Sequence, residues 1–222
     1  MTTIRILAID AALAQRSVAV VADGVVLAER IEPGQRGEAA RLAPMVRDVL
    51  AASGFGAGEL DAVAVTVGPG SFTGIRAALA VAHGLASAIG CPLIGVTVGE
   101  ALAARFPRLG GRTLWVAIDS RRNRVFLDMG GQVTAVALDR LPPASGRMAL
   151  AGDAAGEVAS RLAARGDDVM LTDARQPLAR HVAVVAALRL AGTLPPREAQ
   201  PLYIDSPEAS LPAGGLRPSP VA

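Results

Sequence analysis

The chain has 222 residues, a formal net charge of +2 and no lysine, all 22 basic residues being arginine. The length suits one large or two small domains, the missing lysine excludes a Walker lysine, a Schiff-base lysine and a pyridoxal-phosphate site, and the small net charge makes no demand for a nucleic-acid groove. One cysteine (Cys91) and two histidines (His83 and His181) exclude internal disulfides, CxxC zinc sites and HExxH or HxxxH metal motifs.

Half of the residues are hydrophobic and only 3% aromatic, so the core has to be aliphatic and rich in alanine. In chain order, residues 4–9 form a short apolar run with an arginine inside it, which reads as a strand and carries no signal-peptide pattern. Residues 17–21 and 25–31 follow as a hairpin around Asp23-Gly24. Residues 38–52 form a helix, with Leu42, Met45, Val46, Val49 and Leu50 recurring along one side. Pro44 fits only the first turn of a helix, which predicts that the regular helix begins near Arg41.

Residues 62–67 are a buried strand, 71–89 a second helix, 93–97 a third strand and 98–106 a short helix. Strands alternating with helices imply parallel pairing and an α/β layer structure. The stretch 77–99 has no formal charge and is long enough to span a bilayer. It is rich in Ala, Gly and Ser, contains His83 and is broken by Gly90-Cys91-Pro92, so it reads as a buried helix followed by a buried strand. The expectation is a soluble, cytoplasmic protein with no membrane partner. Cys91 itself reads as a small buried hydrophobe, and His181 as a solvated helix cap.

After a boundary at 107–111 the pattern repeats. Ile6-Leu7-Ala8-Ile9-Asp10 returns as Trp115-Val116-Ala117-Ile118-Asp119, residues 17–21 as 124–128, and residues 25–31 as 133–138. Three matched elements in the same order indicate an internal duplication. Strands at 149–152 and 169–171 and helices at 154–165 and 180–190 complete the second half. The tail from Pro195 is proline-rich, with Tyr203-Ile204 placed to dock. The predicted division is 1–108 for the first lobe, 109–205 for a smaller, degenerate second lobe and 206–222 for a flexible tail.

Two such lobes, each ending its first strand in Asp, resemble the actin, Hsp70 and sugar-kinase superfamily of RNase H-like folds. In that superfamily ATP lies between the lobes and glycine-bearing turns after the two aspartates grip its phosphates. Asp10 is followed here by Ala11-Ala12-Leu13 and Asp119 by Ser120-Arg121-Arg122. Neither turn carries the glycine, so both aspartates read as strand-end caps. Arg121, Arg122 and Arg124 read as a solvated hairpin, with a phosphate or RNA contact as the alternative.

The sharpest local signal runs from Gly68 through Pro69, Gly70, Ser71, Phe72, Thr73 and Gly74. It is a glycine turn opening a helix, with Ser71 or Thr73 as N-cap. It lacks the ending of a Walker loop and the flanking glycines of a nucleophile elbow. Gly68, Gly70, Ser71, Thr73 and Gly74 form a candidate anion- or nucleotide-proximal turn. The stretch GPGSFTGIRAALAVAHGL, with residues 6–10, the Leu42-Ala43-Pro44-Met45-Val46 segment and Pro201-Leu202-Tyr203, resembles the TsaB (YeaZ) family.

That resemblance covers the first 125 residues well and the rest in patches. It implies a non-catalytic scaffold that pairs with the catalytic paralogue TsaD in forming threonylcarbamoyladenosine in tRNAs reading ANN codons. It further implies that the ATPase TsaE joins the assembly, that tRNA is met only through the complex, and that ATP or ADP sits, if anywhere, at an interface with partners. A homodimer of the isolated chain is left open. No catalytic or metal-binding residue is assigned, and the HxxxH of the catalytic relative is absent. Where family members carry a histidine before the first helix, this chain has Gly37. The alternative is a kinase, ATPase or metalloprotease-like enzyme of the same superfamily.

The partner face is expected on the first two helices: Leu42, Met45, Val46 and Val49 from one, and Arg76, Ala77, Ala80, His83, Gly84 and Ser87 from the other. In the second helix Ala80, Gly84 and Ala88 make a row of small residues that admits another helix closely. The opposite side, Phe72, Ile75, Leu79, Ala82, Ala86 and Ile89, is predicted to cover the sheet.

Overall fold

The computed structural model describes residues 3–34, 38–120 and 123–204. Strands β1 (Arg5–Asp10), β2 (Gln15–Ala22) and β3 (Val25–Pro33) form an antiparallel meander. The β2–β3 turn places Asp23 at φ +47° and Gly24 at φ +81°, the pair of positive angles that a tight two-residue hairpin needs. Strand β4 (Ala62–Gly68) pairs parallel with β1, and β5 (Leu93–Thr97) parallel with β4, giving the order β3-β2-β1-β4-β5.

The pleat sorts the side chains into two cores. Leu7, Ile9, Val18, Val20, Val63 and Val65 face helices α1 (Glu38–Ser53) and α2 (Phe72–Ile89). Ile6, Ala8, Ala19, Val21, Ala62 and Ala64 face the other way, onto α5 (Ala179–Leu190) and the short helix α3 (Val98–Ala103). Because most of these side chains are valine or alanine, the helices sit close to the sheet.

The second sheet holds β6 (Thr113–Asp119), β7 (Arg124–Met129), β8 (Val133–Ala137), β9 (Met148–Ala151) and β10 (Val169–Leu171). Its order, β10-β9-β6-β7-β8, is that of the first sheet read from the opposite edge, with the same antiparallel and parallel pairings. The duplication seen in the sequence is therefore a duplication of topology, and the chain is two tandem RNase H-like lobes. Helix α4 (Ala155–Ala164) covers one face of this sheet through Val158 and Leu162. Where α1 stands in the first lobe, the second has only a turn of 3-10 helix at Leu138–Arg140.

Three expectations need correction. Helix α1 begins at Glu38, with Pro44 inside it; the proline removes the N–H that would bond the carbonyl of Ala40, and Ala40 is exposed, so water can take that place. Helix α3 ends at Ala103, short of the predicted 106. The segment 109–205 is not one lobe: α5 packs on the first sheet, where Ala179, Val182, Ala183 and Ala186 join its core. Arg180 ties α5 to Glu29 of β3 at 3.1 Å, and the N–H of Ala179 donates to Ser17 Oγ at 2.8 Å. The predicted tail, 206–222, lies outside the described residues.

The lobes meet where α3 crosses to β7. A Cβ on Gly99 would overlap the carboxylate of Asp128; only glycine permits that approach. Asp128 is buried, and its Oδ1 accepts from the N–H of Gly131 at 2.6 Å. Beside it, Glu100 takes a hydrogen bond from Arg189 at 2.5 Å and caps its own helix through the N–H of Thr97. Burial pushes the Asp128 carboxyl above the usual carboxylate range; the nearby Glu100 adds to this, and the Gly131 N–H and Arg197 oppose it.

A raised folded-state pKa means that the native protein binds the proton more tightly than the unfolded chain, so this group's contribution to stability falls as pH rises through the raised value. Asp128→Asn keeps an acceptor for Gly131 without the buried charge. Its melting temperature should exceed that of the parent at about pH 7.5, and the gap should close on acidification below about pH 4, the ordinary carboxylate range. A gap that widens on acidification would refute this reading.

Candidate functional site

Helix α2 is built as the sequence suggests at its ends. Ser71 caps it, its Oγ accepting from the N–H of Gly74 at 3.2 Å, and Gly90 closes it in the left-handed conformation. Ile75, Ala78, Leu79, Ala82 and Ala86 are buried on the sheet. Arg76, Ala80, His83, Gly84, Ser87 and Ala88 are exposed, as predicted.

Other assignments fail. Ala77 is buried in the first core and cannot meet a partner. Phe72, predicted to cover the sheet, is 61% exposed; it is the first residue of the helix, and its ring turns onto Arg76, whose guanidinium lies 3.8 Å from the ring centre. Leu42, Met45, Val46 and Val49 are all buried. The apolar stripe of α1 packs on the sheet and on α2, and the exposed side chains of α1 among the described residues are Ala40, Arg41, Ala43, Arg47, Ala51 and Ala52.

The turn before α2 is locked onto the end of β1. Gly68 and Gly70 both have positive φ, and the Gly68–Pro69 peptide is cis. A Cβ on Gly70 would overlap the carbonyl of Ala12, which accepts from the N–H of Ser71 at 2.6 Å. Ala11, Ala12 and Leu13 are buried, and the Ala12 N–H turns back to Asp10 Oδ1 at 3.2 Å. Asp10 is itself fully buried and accepts from Thr66 Oγ1 at 2.7 Å. The turn after β1 is thus a closed contact between two of the chain's own loops. In the candidate anion turn of Gly68, Gly70, Ser71, Thr73 and Gly74, the N–H groups of Ser71 and Gly74 are engaged within the chain, where they seat α2.

The second turn is different. Asp119 is exposed, its N–H donating to Asp153 Oδ1 at 2.9 Å. Ser120 Oγ donates to the carbonyl of Arg124 at 2.7 Å. Burial, and after it the charge of Asp119, pushes the Asp153 carboxyl upward. Arg121, Arg122 and Gly37 lie outside the described residues. Among the described residues no group of three or more His, Cys, Asp or Glu could hold a metal. His181 is half-buried, not a solvated cap, and burial, then Arg180 and Arg105, hold its pKa below the ordinary value. Cys91 packs against the first core, where burial pushes its thiol up.

One feature escaped the sequence reading in all but its last residues. The segment after α5 runs back across the first lobe as a strap. The N–H of Gly95, on edge strand β5, donates to Arg197 O at 3.0 Å. His83 Nε2 lies 2.9 Å from Ala199 O, the N–H of Leu202 donates to Val67 O at 2.8 Å, and Arg76 donates to the hydroxyl of Tyr203 at 3.0 Å. His83, assigned to the partner face, is thus partly engaged by the chain itself. Polar spacing in this stretch is irregular, and no periodicity announces a strap whose contacts are mostly backbone.

These features define a class: a duplicated, two-lobed α/β protein whose turn after β1 is closed by the loop that opens α2. A sequence profile described as TsaD, tRNA N6-adenosine threonylcarbamoyltransferase, matches residues 26–172. The tRNA threonylcarbamoyladenosine biosynthesis protein TsaB of Escherichia coli (strain K12) is 42% identical over 123 residues, 55% of this chain and 53% of that protein. Its namesake in Haemophilus influenzae is 40% identical over 96 residues, 43% of this chain and 41% of the other. The match thus spans about half the length of these curated relatives. The solved structure of YeaZ from Pseudomonas aeruginosa superposes with a TM-score of 0.77 at 30% identity, covering 90% of this chain and 99% of that one. The chain belongs to the TsaB (YeaZ) family.

The locked turn makes a paired prediction. Gly70→Ala should destabilise the protein by about 2 kcal/mol or more, since a methyl group there must displace backbone. Gly84→Ala, whose Cβ would meet nothing within 4 Å, should be neutral or stabilise by about 0.5 kcal/mol through helix propensity. Denaturant melts of the two variants check both signs.

Proposed function

We propose that the chain is a non-catalytic dimerisation subunit that binds the transferase paralogue TsaD in the formation of N6-threonylcarbamoyladenosine in tRNA. One observation carries the reading. Helix α2 has a mean hydropathy of 1.4, high enough for a membrane span by composition, yet only 39% of it is buried. Its outward face is uncharged apart from Arg76 and is paved with Ala80, Gly84, Ser87 and Ala88. An apolar face of that kind on a monomer marks an interaction site, and its small side chains admit a second helix at short distance.

Membership of the TsaB family and the match to the TsaD profile support a paralogous partner, a relative that carries the same lobe and hence an equivalent pair of helices. Nucleotide, on this reading, belongs at the interface between partners, and tRNA is reached through the assembly in the cytoplasm. The enzymatic alternative is disfavoured by the closed turn at Ala12.

Ala80→Glu should leave the melting curve intact, because the residue is exposed. It should weaken binding to TsaD by at least ~2 kcal/mol by burying an unpaired charge. Calorimetry reads the affinity, and mass spectrometry of bulk tRNA from a depletion strain complemented with the variant should show the modified nucleoside reduced. Normal binding with a normal melt would place the interface elsewhere. The isolated chain should hydrolyse ATP no faster than a heat-killed control; turnover abolished by Asp10→Asn would overturn the scaffold reading.

A further inference from the structure

Six aromatic side chains serve the whole chain: one tryptophan, one tyrosine and four phenylalanines. Trp115 is buried, and Phe55, Phe106 and Phe126 are half-buried. The two exposed ones, Phe72 at 61% and Tyr203 at 60%, touch the same arginine. Arg76 lays its guanidinium on the ring of Phe72 and donates to the hydroxyl of Tyr203. Phe72 and Arg76 come from the first turns of α2, and Tyr203 arrives 127 residues after Arg76 on the strap.

Nothing in the monomer requires this arrangement. The rings bury little, and the strap is already fastened upstream through Leu202, Ala199 and Arg197. An aromatic pair ordered around an arginine has the composition of an interface hot spot, rigid and broad, with its side-chain entropy already spent. It also heads the outward row of α2, since Arg76, Ala80, Gly84 and Ala88 follow one another at intervals of four.

We infer that Phe72, Arg76 and Tyr203 form the anchor by which this face grips a paralogous protein bearing the same helix pair, so that the strap is a functional part of the interface. This rests on the paralogue-binding reading above. Two observations favour a protein of the same fold over RNA. The transferase profile spans residues 26–172, which include α1 and α2, so the partner's equivalent helices can lie against these row to row. Arg76 is the one formal charge on α2, and a single cation stacked on a ring is a poor match for an array of phosphates. The small residues set how closely the helices approach; the anchor sets how tightly they hold.

The test uses the full-length chain and its TsaD partner in calorimetry, with melting curves alongside. Phe72→Ala and Tyr203→Ala should each weaken the heterodimer by about tenfold or more. Both should melt within about 3 °C of the parent, since both side chains are exposed. Tyr203→Phe, which keeps the ring and loses the acceptor for Arg76, should fall between parent and Tyr203→Ala.

Alanine variants that bind within about twofold of the parent would overturn the anchor. Ala80→Glu in the same series separates the two readings: if it abolishes binding while the alanine variants do not, the partner face stands and the anchor falls. If it too binds normally, the partner-face reading is lost as well. Unchanged heterodimer affinity with reduced retention of tRNA on filters would make the cluster an RNA surface, against the proposal. Should either alanine variant melt early, Tyr203→Phe at a normal melt decides by its own affinity.

Discussion

The carbonyl of Ala12 is the hinge of this molecule's chemistry. It receives the N–H of Ser71 and lies against Gly70, and two consequences follow from that contact. The turn after β1 is sealed, with both backbone groups of Ala12 bonded inside the chain. The start of α2 is fixed, so the helix leaves the sheet at a set angle and its outward row is held rigidly. Gly70 is required by the approach and Ser71 by the cap.

The two lobes share a topology and have diverged in what they cover. In the first, α1 and α2 together shield one face of the sheet and α5 returns from the end of the chain to shield the other. In the second, α1 has no counterpart and α4 stands on one face. The opposite face supplies Val116, Ile118 and Ala151 to the core of the first lobe. The second lobe therefore completes the first, and Asp128 pressed against Gly99 shows how little room the junction has.

Much of the fold was legible because periodicity and turn chemistry are local. Alternating apolar residues marked the strands, Asp23-Gly24 marked the hairpin, and the return of the Ile6–Asp10 pattern at Trp115 marked the duplication. Which helix residues face outward was legible only in part. A helical wheel shows that Leu42, Met45, Val46 and Val49 share a side, but not whether that side meets its own sheet or a foreign surface; burial assigns them to the core. Alanine is ambiguous for the same reason: Ala77 and Ala80 read alike in the sequence, and the fold buries the first and exposes the second. The strap was invisible beyond Tyr203-Ile204, since backbone hydrogen bonds to β4 and β5 impose no side-chain pattern.

Composition explains why so few residues carry the outward chemistry. A chain that is half hydrophobic and almost devoid of aromatics fills its cores with valine, alanine and leucine, which pack closely and leave smooth helix surfaces. Smooth surfaces give proximity without grip, because small side chains remove little area from water at each contact. Affinity then has to come from the few large side chains that the cores do not absorb. Of the described aromatics, Phe72 and Tyr203 alone remain exposed, and both gather on Arg76 at one end of the outward row. The contact at Ala12 seats α2, and on that helix the fold has a place where binding energy can be concentrated.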